Sequence, residues 1–209
     1  VRIYHFYHIY ADGLWQTPVD QHFRALKKSK LYDSLTSPVK IGFVGNNENI
    51  NNVKNFLNVN NYNYEIVSIK NNGWEQVTQQ ELYNFSQYND GYILYAHTKG
   101  SYSQDYPNIP WRETMTKYNV LNWNDCINKM IEGYDTVGIY WMNSSGPEHV
   151  GHNNFYAGTF WWTTLNFIKN LPSPNYEHRH RAEGWIGLNQ SKHFCFKNGV
   201  PKDYEELIL

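Results

Sequence analysis

The sequence predicts an α/β domain with a central, mostly parallel (mixed) β-sheet of about six strands flanked by helices. Runs of β-forming residues recur at Arg2 to Tyr10, Val39 to Gly45, Tyr64 to Lys70 and Tyr92 to His97. Between them lie segments whose apolar residues return at near-helical spacing, and each strand closes on a polar or glycine-bearing turn. Right-handed crossovers between such strands align their carboxyl ends at one edge, where open α/β sheets bind ligands.

The first run, RIYHFYHIY, is too continuously apolar and aromatic for an exposed edge, and it ends in Ala11-Asp12-Gly13. Leu14, Val19, Phe23, Leu26 and Leu31 then keep helical spacing, with Pro18 near the start and Lys27, Lys28 and Lys30 late, where the helix dipole favours them. VKIGFVG repeats the theme and leads into a helix around Ile50 to Leu57. After YEIVSIK and Asn71-Asn72-Gly73, the spacing Thr78-Gln79-Gln80-Glu81 reads as a capping box opening a helix that runs to about Tyr88.

The focal stretch is Gly91 to Tyr102, GYILYAHTKGSY: one buried strand ending in the polar tip His97-Thr98-Lys99-Gly100. The competing reading of that tip is a plain polar turn in which Gly100 supplies positive φ. Tyr10, Asp12, Asn46, Lys70, Asn72, His97 and Lys99 gather at the carboxyl edge as a candidate nucleotide site.

Beyond it, Pro110 opens a helical region, Asp135 to Trp141 reads as one strand, and Asn143 to Asn154 is a polar loop carrying His149 and His152. FYAGTFWWT (155–163) sets a small Ala-Gly step among aromatics; Leu165, Ile168 and Leu171 resume helical spacing. Tyr176 to Gly187 is dense in titratable groups, Phe194 to Phe196 suggests a short strand, and Asp203 to Leu209 reads as a helix start or a junction with something further along a longer protein.

One domain is the expectation for 209 residues, with residues 1–100 as a nucleotide-binding half and 101–209 as an acceptor and catalytic half. A formal net charge of -1 offers no basic field for nucleic acid. No apolar run approaches the ~20 residues of a membrane span, and Cys126 and Cys195 make no disulfide framework. The expected location is cytoplasmic. With 18 Tyr, 8 Trp and 10 Phe at a mean hydropathy of -0.70, the chain is rich in rings that suit sugars and nucleobases.

YILYAHTKG, WRETM with the following GYDTVG, and FYAGTFWW ahead of AEGWIG stand in an order that resembles the GT-A fold nucleotide-sugar glycosyltransferases. Within that family the likeness is strongest to N-terminal glycosyltransferase domains of chlorella-virus capsid-glycan enzymes. The resemblance implies a UDP-sugar donor, a divalent metal such as Mn2+ under the diphosphate, and transfer of a hexose, glucose or a deoxyhexose such as rhamnose, to a glycan or glycoprotein acceptor. It implies a retaining course by analogy with Asn-Ala-Gly transferases, whose turn Tyr156-Ala157-Gly158 resembles. His97-Thr98-Lys99 stands where relatives carry Asp-x-Asp.

Sugar transfer from a nucleotide requires that the charge developing on the diphosphate be neutralised, and that a carboxylate face the anomeric carbon or the acceptor hydroxyl. Lys99 is the candidate cation and Glu183 the candidate carboxylate, with a salt bridge to Arg179 or Arg181 as its competing role. Tyr10 and Asp12 suit uridine, core packing being the alternative for Tyr10. Lys70, His97, Thr98, Gly100 and Arg112 complete the donor set, and His97 with His152 the metal set. Tyr156, Ala157, Gly158, Trp161 and Trp185 are assigned to the acceptor. The same rings would equally serve a non-catalytic carbohydrate-binding module, which would bind oligosaccharide and ignore UDP.

Overall fold

The computed structural model of the protein describes residues 1–102, 107–143 and 154–199. β1 (Ile3–Tyr10) is buried along nearly its whole length, as its apolar continuity predicts, because β2 (Val39–Val44) and β4 (Tyr92–His97) flank it in parallel and helices cover both faces. β3 (Tyr64–Lys70) pairs with β2 at the sheet's edge and is correspondingly half-exposed. The seven-stranded order is β3-β2-β1-β4-β8-β5-β9, in which β8 (Trp161–Thr164) runs antiparallel between β4 and β5 (Thr136–Gly138), and β9 (His193–Cys195) closes the far edge.

α1 (Gln16–Lys28) carries the predicted apolar stripe; Lys30 then takes a left-handed φ of 61° and a short α2 (Leu31–Ser34) follows. α3 (Asn47–Val59) begins at Asn46, whose side chain accepts from the Asn49 N–H at 2.9 Å, a standard N-cap. α4 (Gln76–Ser86) starts two residues before the predicted capping box. Thr78 is buried inside this helix and its hydroxyl meets His8 Nδ1 at 2.8 Å, so a tertiary partner takes the side chain that the local pattern assigns to a cap.

α5 (Asn108–Thr116), a π-helical turn at Lys117–Leu121 and α6 (Trp123–Ile131) form the helical region after β4. The predicted strand 135–141 is interrupted, because Tyr140 adopts φ 56°. β5 therefore stays in the main sheet, while β6 (Trp141–Asn143) turns away to pair with β7 (Asn154–Tyr156). The main sheet thus has seven strands where about six are predicted, with the two-stranded sheet besides. α7 (Leu165–Lys169) and α8 (Arg181–Gly184), continued by a 3-10 turn at Trp185–Gly187, complete the described elements.

The pleat divides the core into two. Tyr7, Leu94 and Trp162 face one cluster with α1, α3 and α6; Phe6, Tyr95 and Trp161 face the other with α4 and α7. Trp161 stacks on Tyr95 with ring centroids 4.9 Å apart, and Trp162 donates its indole N–H to the Asn119 carbonyl at 2.8 Å. β8 is a central strand covered on both faces, and its two tryptophans stiffen the sheet beside β4.

Candidate functional site

The chain lays down β1, β2 and β3 outward on one side, then returns to place β4 on the other side of β1. Such a reversal opens a crevice beyond the carboxyl ends of β1 and β4. A cavity of about 660 Å³ lies there. Its walls come from the ends of β1 and β2, from the loops after β3 and β4, from Asn108, and from Arg179 and Glu183 around α8.

The loop after β4 is held open by bonds to β1. The Thr98 N–H donates to the His8 carbonyl at 3.0 Å, its hydroxyl accepts the Tyr10 N–H at 3.0 Å, and the Ser101 carbonyl accepts the Leu14 N–H at 2.6 Å. Gly13 is required where these loops meet: a Cβ there would lie 2.2 Å from the Ser101 carbonyl oxygen. Asp12 accepts from the Asn46 N–H at 2.8 Å and the Asn49 amide at 2.9 Å, which ties the β1 loop to the start of α3.

Lys99 extends from this frame with its ammonium 3.7 Å from the Trp111 ring centroid. Burial lowers its pKa, against the pull of Glu183 and Glu75, while Arg179 adds to the lowering. Arg112 stands behind it rather than on the cavity wall: it is buried, donating from Nε to the Gln21 amide oxygen at 2.7 Å and from a terminal nitrogen to the Lys99 carbonyl at 2.9 Å.

Glu75, in the loop between β3 and α4, reaches across to the end of β4. Its Oε1 lies 3.3 Å from His97 Nδ1, and His97 Nε2 lies 2.9 Å from the Gly158 carbonyl. A carbonyl only accepts, so Nε2 carries hydrogen and a neutral His97 turns a lone pair on Nδ1 toward Glu75. Glu75 then supplies the proton between them. The energetics agree: burial pushes Glu75 up to about 8, reinforced by Glu183 and opposed by Lys99 and the Tyr95 hydroxyl. Burial also holds His97 well below its ordinary 6.5, with Lys99 and His8 adding to the effect.

This carries a stability consequence. From its ordinary 4.5 up to about 8, the unfolded chain releases the Glu75 proton while the fold keeps it, so stability falls as pH rises through that window. Glu75→Gln should flatten this slope, matching the wild type near pH 4 and exceeding it by on the order of 4 kcal/mol at pH 8. Thermal melting at both pH values checks this; identical slopes for the two proteins would contradict it.

Of the residues singled out from sequence, Tyr10, Asp12, His97, Thr98, Lys99, Gly100 and Glu183 line the cavity. Glu183 faces His180 at 3.6 Å, whereas Arg181 pairs with Glu177 at 3.7 Å. Lys70 is exposed at the end of β3, outside the wall. Tyr156, Ala157, Trp161 and Trp185 are buried in the core; the Tyr156 hydroxyl donates to the Phe194 carbonyl at 3.0 Å and the Trp185 indole to the Pro172 carbonyl at 2.8 Å. Gly158 takes φ 87° between Met115 and Trp111. His149 and His152 fall outside the described residues, as do most of the polar loop that carries them and the tail 203–209.

As to a metal, His97 engages both ring nitrogens, with Gly158 and Glu75. Among the described residues no three His, Cys, Asp or Glu side chains converge to hold a cation. His152, the other residue of the expected metal set, lies outside the described residues. Sequence reasoning missed Glu75, Trp74 and His8. The signal for the first two was NNGWE, a polar turn with a tryptophan and a carboxylate just beyond a strand's carboxyl end.

Solved structures that share this fold include two of similar extent. HddC from Yersinia pseudotuberculosis superposes with a TM-score of 0.51 at 11% identity, over 93% of this chain and 90% of its own. The 4-diphosphocytidyl-2C-methyl-D-erythritol synthase from Anaerococcus prevotii DSM 20548 gives a TM-score of 0.51 at 7% identity, over 97% of this chain and 92% of its own. Comparison of the sequence with curated proteins gives no match. A family model described as a domain of unknown function, DUF8361, matches residues 6–202, and the chain belongs to that family.

Proposed function

We propose that this domain is a transferase that binds a nucleoside-diphosphate-linked sugar at the β1/β4 crevice, with UDP-hexose as donor and a glycan as acceptor. The observation that carries this reading is the placement of Lys99: a partly buried cation on a rigid loop, at the switch point of the sheet, with Arg179 on the same cavity wall. In this account the two cations meet the diphosphate and neutralise charge as it leaves. Tyr10 and Asp12, at the end of β1, meet the uridine. Glu183 is the carboxylate that faces the sugar, and His97 with Glu75 fixes the Gly158 turn beside it. A GT-A type fold, as in the two structural relatives, is consistent with such a donor.

A second reading is transfer of the nucleotidyl group itself, the kind of activity that the name of the diphosphocytidyl synthase indicates for that protein. The two differ in what is consumed. A glycosyltransferase turns a UDP-sugar into UDP, whereas a nucleotidyltransferase consumes a nucleoside triphosphate and releases pyrophosphate. Incubation with UDP-glucose and UDP-rhamnose, or with UTP or CTP and sugar phosphates, each with and without manganese, separates them. The expected result is UDP release from a UDP-sugar, lowered about a hundredfold or more in Glu183→Gln. Pyrophosphate release alone would move the assignment to the second reading.

A further inference from the structure

We propose that Trp74 and Tyr102 form an acceptor platform: two exposed rings at the cavity wall that take the flat face of a neutral pyranose. The proposal rests on the transferase reading and names the acceptor side of the same site.

Stacking on a sugar requires a ring face open to solvent. Trp161 and Trp185, the tryptophans that the sequence pattern offers, are 0% and 1% exposed, whereas Trp74 is 46% and Tyr102 85% exposed, and both line the cavity. The path of the chain explains how Trp74 arrives there. Lys70 ends β3 at the sheet edge, yet Glu75 touches His97 on β4, three strands away in the order β3-β2-β1-β4. At ~4.8 Å per strand, the intervening residues cross about 14 Å over the carboxyl ends of β2 and β1. Trp74, one residue before Glu75, is thereby carried from the edge to the crevice. Tyr102 comes from the loop after β4.

The surroundings suit a polyhydroxyl ligand. Asn71 and Asn72 line the same cavity, and each amide carries donor and acceptor groups that suit neighbouring hydroxyls. The protonated Glu75 carboxyl and the Glu183 carboxylate both pair with hydroxyls, and Glu183 repels phosphate, so the part of the substrate next to it is uncharged. A pyranose turns weakly positive C–H groups toward the negative face of an aromatic ring, and tryptophan offers the largest such face. Exposed rings beside a cavity, unlike scattered surface apolar residues, mark a place where a ligand displaces water.

The test follows the Trp74 indole N–H by 1H–15N spectroscopy, assigned through Trp74→Phe. The probes are methyl glucoside, methyl rhamnoside, methyl xyloside and, separately, uridine, all without UDP. At least one glycoside should shift the Trp74 resonance saturably, with affinity lowered about tenfold in Trp74→Ala and in Tyr102→Ala, while uridine leaves the resonance in place. Both side chains lie outside the core, so the circular dichroism of the variants should match the wild type. Silence to all three glycosides, undiminished affinity in Trp74→Ala, or a response to uridine instead would each overturn the platform. Glycoside binding at Trp74 in a chain that binds no nucleotide would keep the platform and remove the transferase reading.

Discussion

Lys99→Ala should lower UDP affinity by at least about a hundredfold while leaving the domain folded. The ammonium lies over the Trp111 face, beside a cavity that also holds the Glu183 carboxylate and the protonated Glu75. Removing it takes away most of the attraction for a diphosphate and leaves the Glu183 carboxylate facing the ligand with Arg179 as the remaining cation. Because Lys99 is itself partly buried, both effects exceed their value at a fully exposed surface, and a hundredfold corresponds to about 2.7 kcal/mol. The fold loses only the cation–π contact, worth about 1–2 kcal/mol, since the loop itself is held by Thr98, Ser101 and Arg112. Titration of variant and wild type with UDP reads the first effect and thermal melting the second. An unchanged affinity would remove Lys99 from the site.

Gly158→Ala should be strongly destabilising. Gly158 sits at φ 87°, where a side chain is strained, and an added Cβ would stand 2.5 Å from Met115 Sδ and 2.9 Å from Trp111 Nε1. Relief means displacing the ring that supports Lys99 or the carbonyl that fixes His97. The combined strain and repacking should cost about 3 kcal/mol, a fall of roughly 10 °C in melting temperature, and UDP affinity should drop with it. A variant that melts with the wild type would show that the turn is not under this constraint.

The parallel strands were legible because each is a short apolar run bounded by turn residues, and β3 and β4 begin and end where the pattern places them. Knowing the strand ends was enough to place Tyr10, Asp12, His97 and Lys99 at one edge. Thr78 was misread because a threonine three residues before a glutamate fits a cap by spacing alone. Its actual partner, His8, is 70 positions away, and Gly42 leaves the room that its side chain fills. The break after β5 was hidden for a different reason: Tyr140 is not a residue that announces positive φ.

The aromatics show the same limit. Alternation along FWWT places Trp161 and Trp162 on opposite faces, but whether both faces are covered depends on β8 lying between β4 and β5, a fact of topology. Trp74 carried no such periodicity and is the ring that stays open to the cavity. Glu75 was missed because its meaning comes from His97, which approaches it only once the β3 to α4 loop has crossed the sheet edge.

Calorimetric titration of the wild-type chain with UDP, GDP and CMP, each with and without manganese, reads whether the β1/β4 crevice is a nucleotide site. The account predicts saturable binding of UDP in preference to the other two, lost in Lys99→Ala. No binding of any nucleotide under any of these conditions would contradict it and leave a carbohydrate-binding module as the better description.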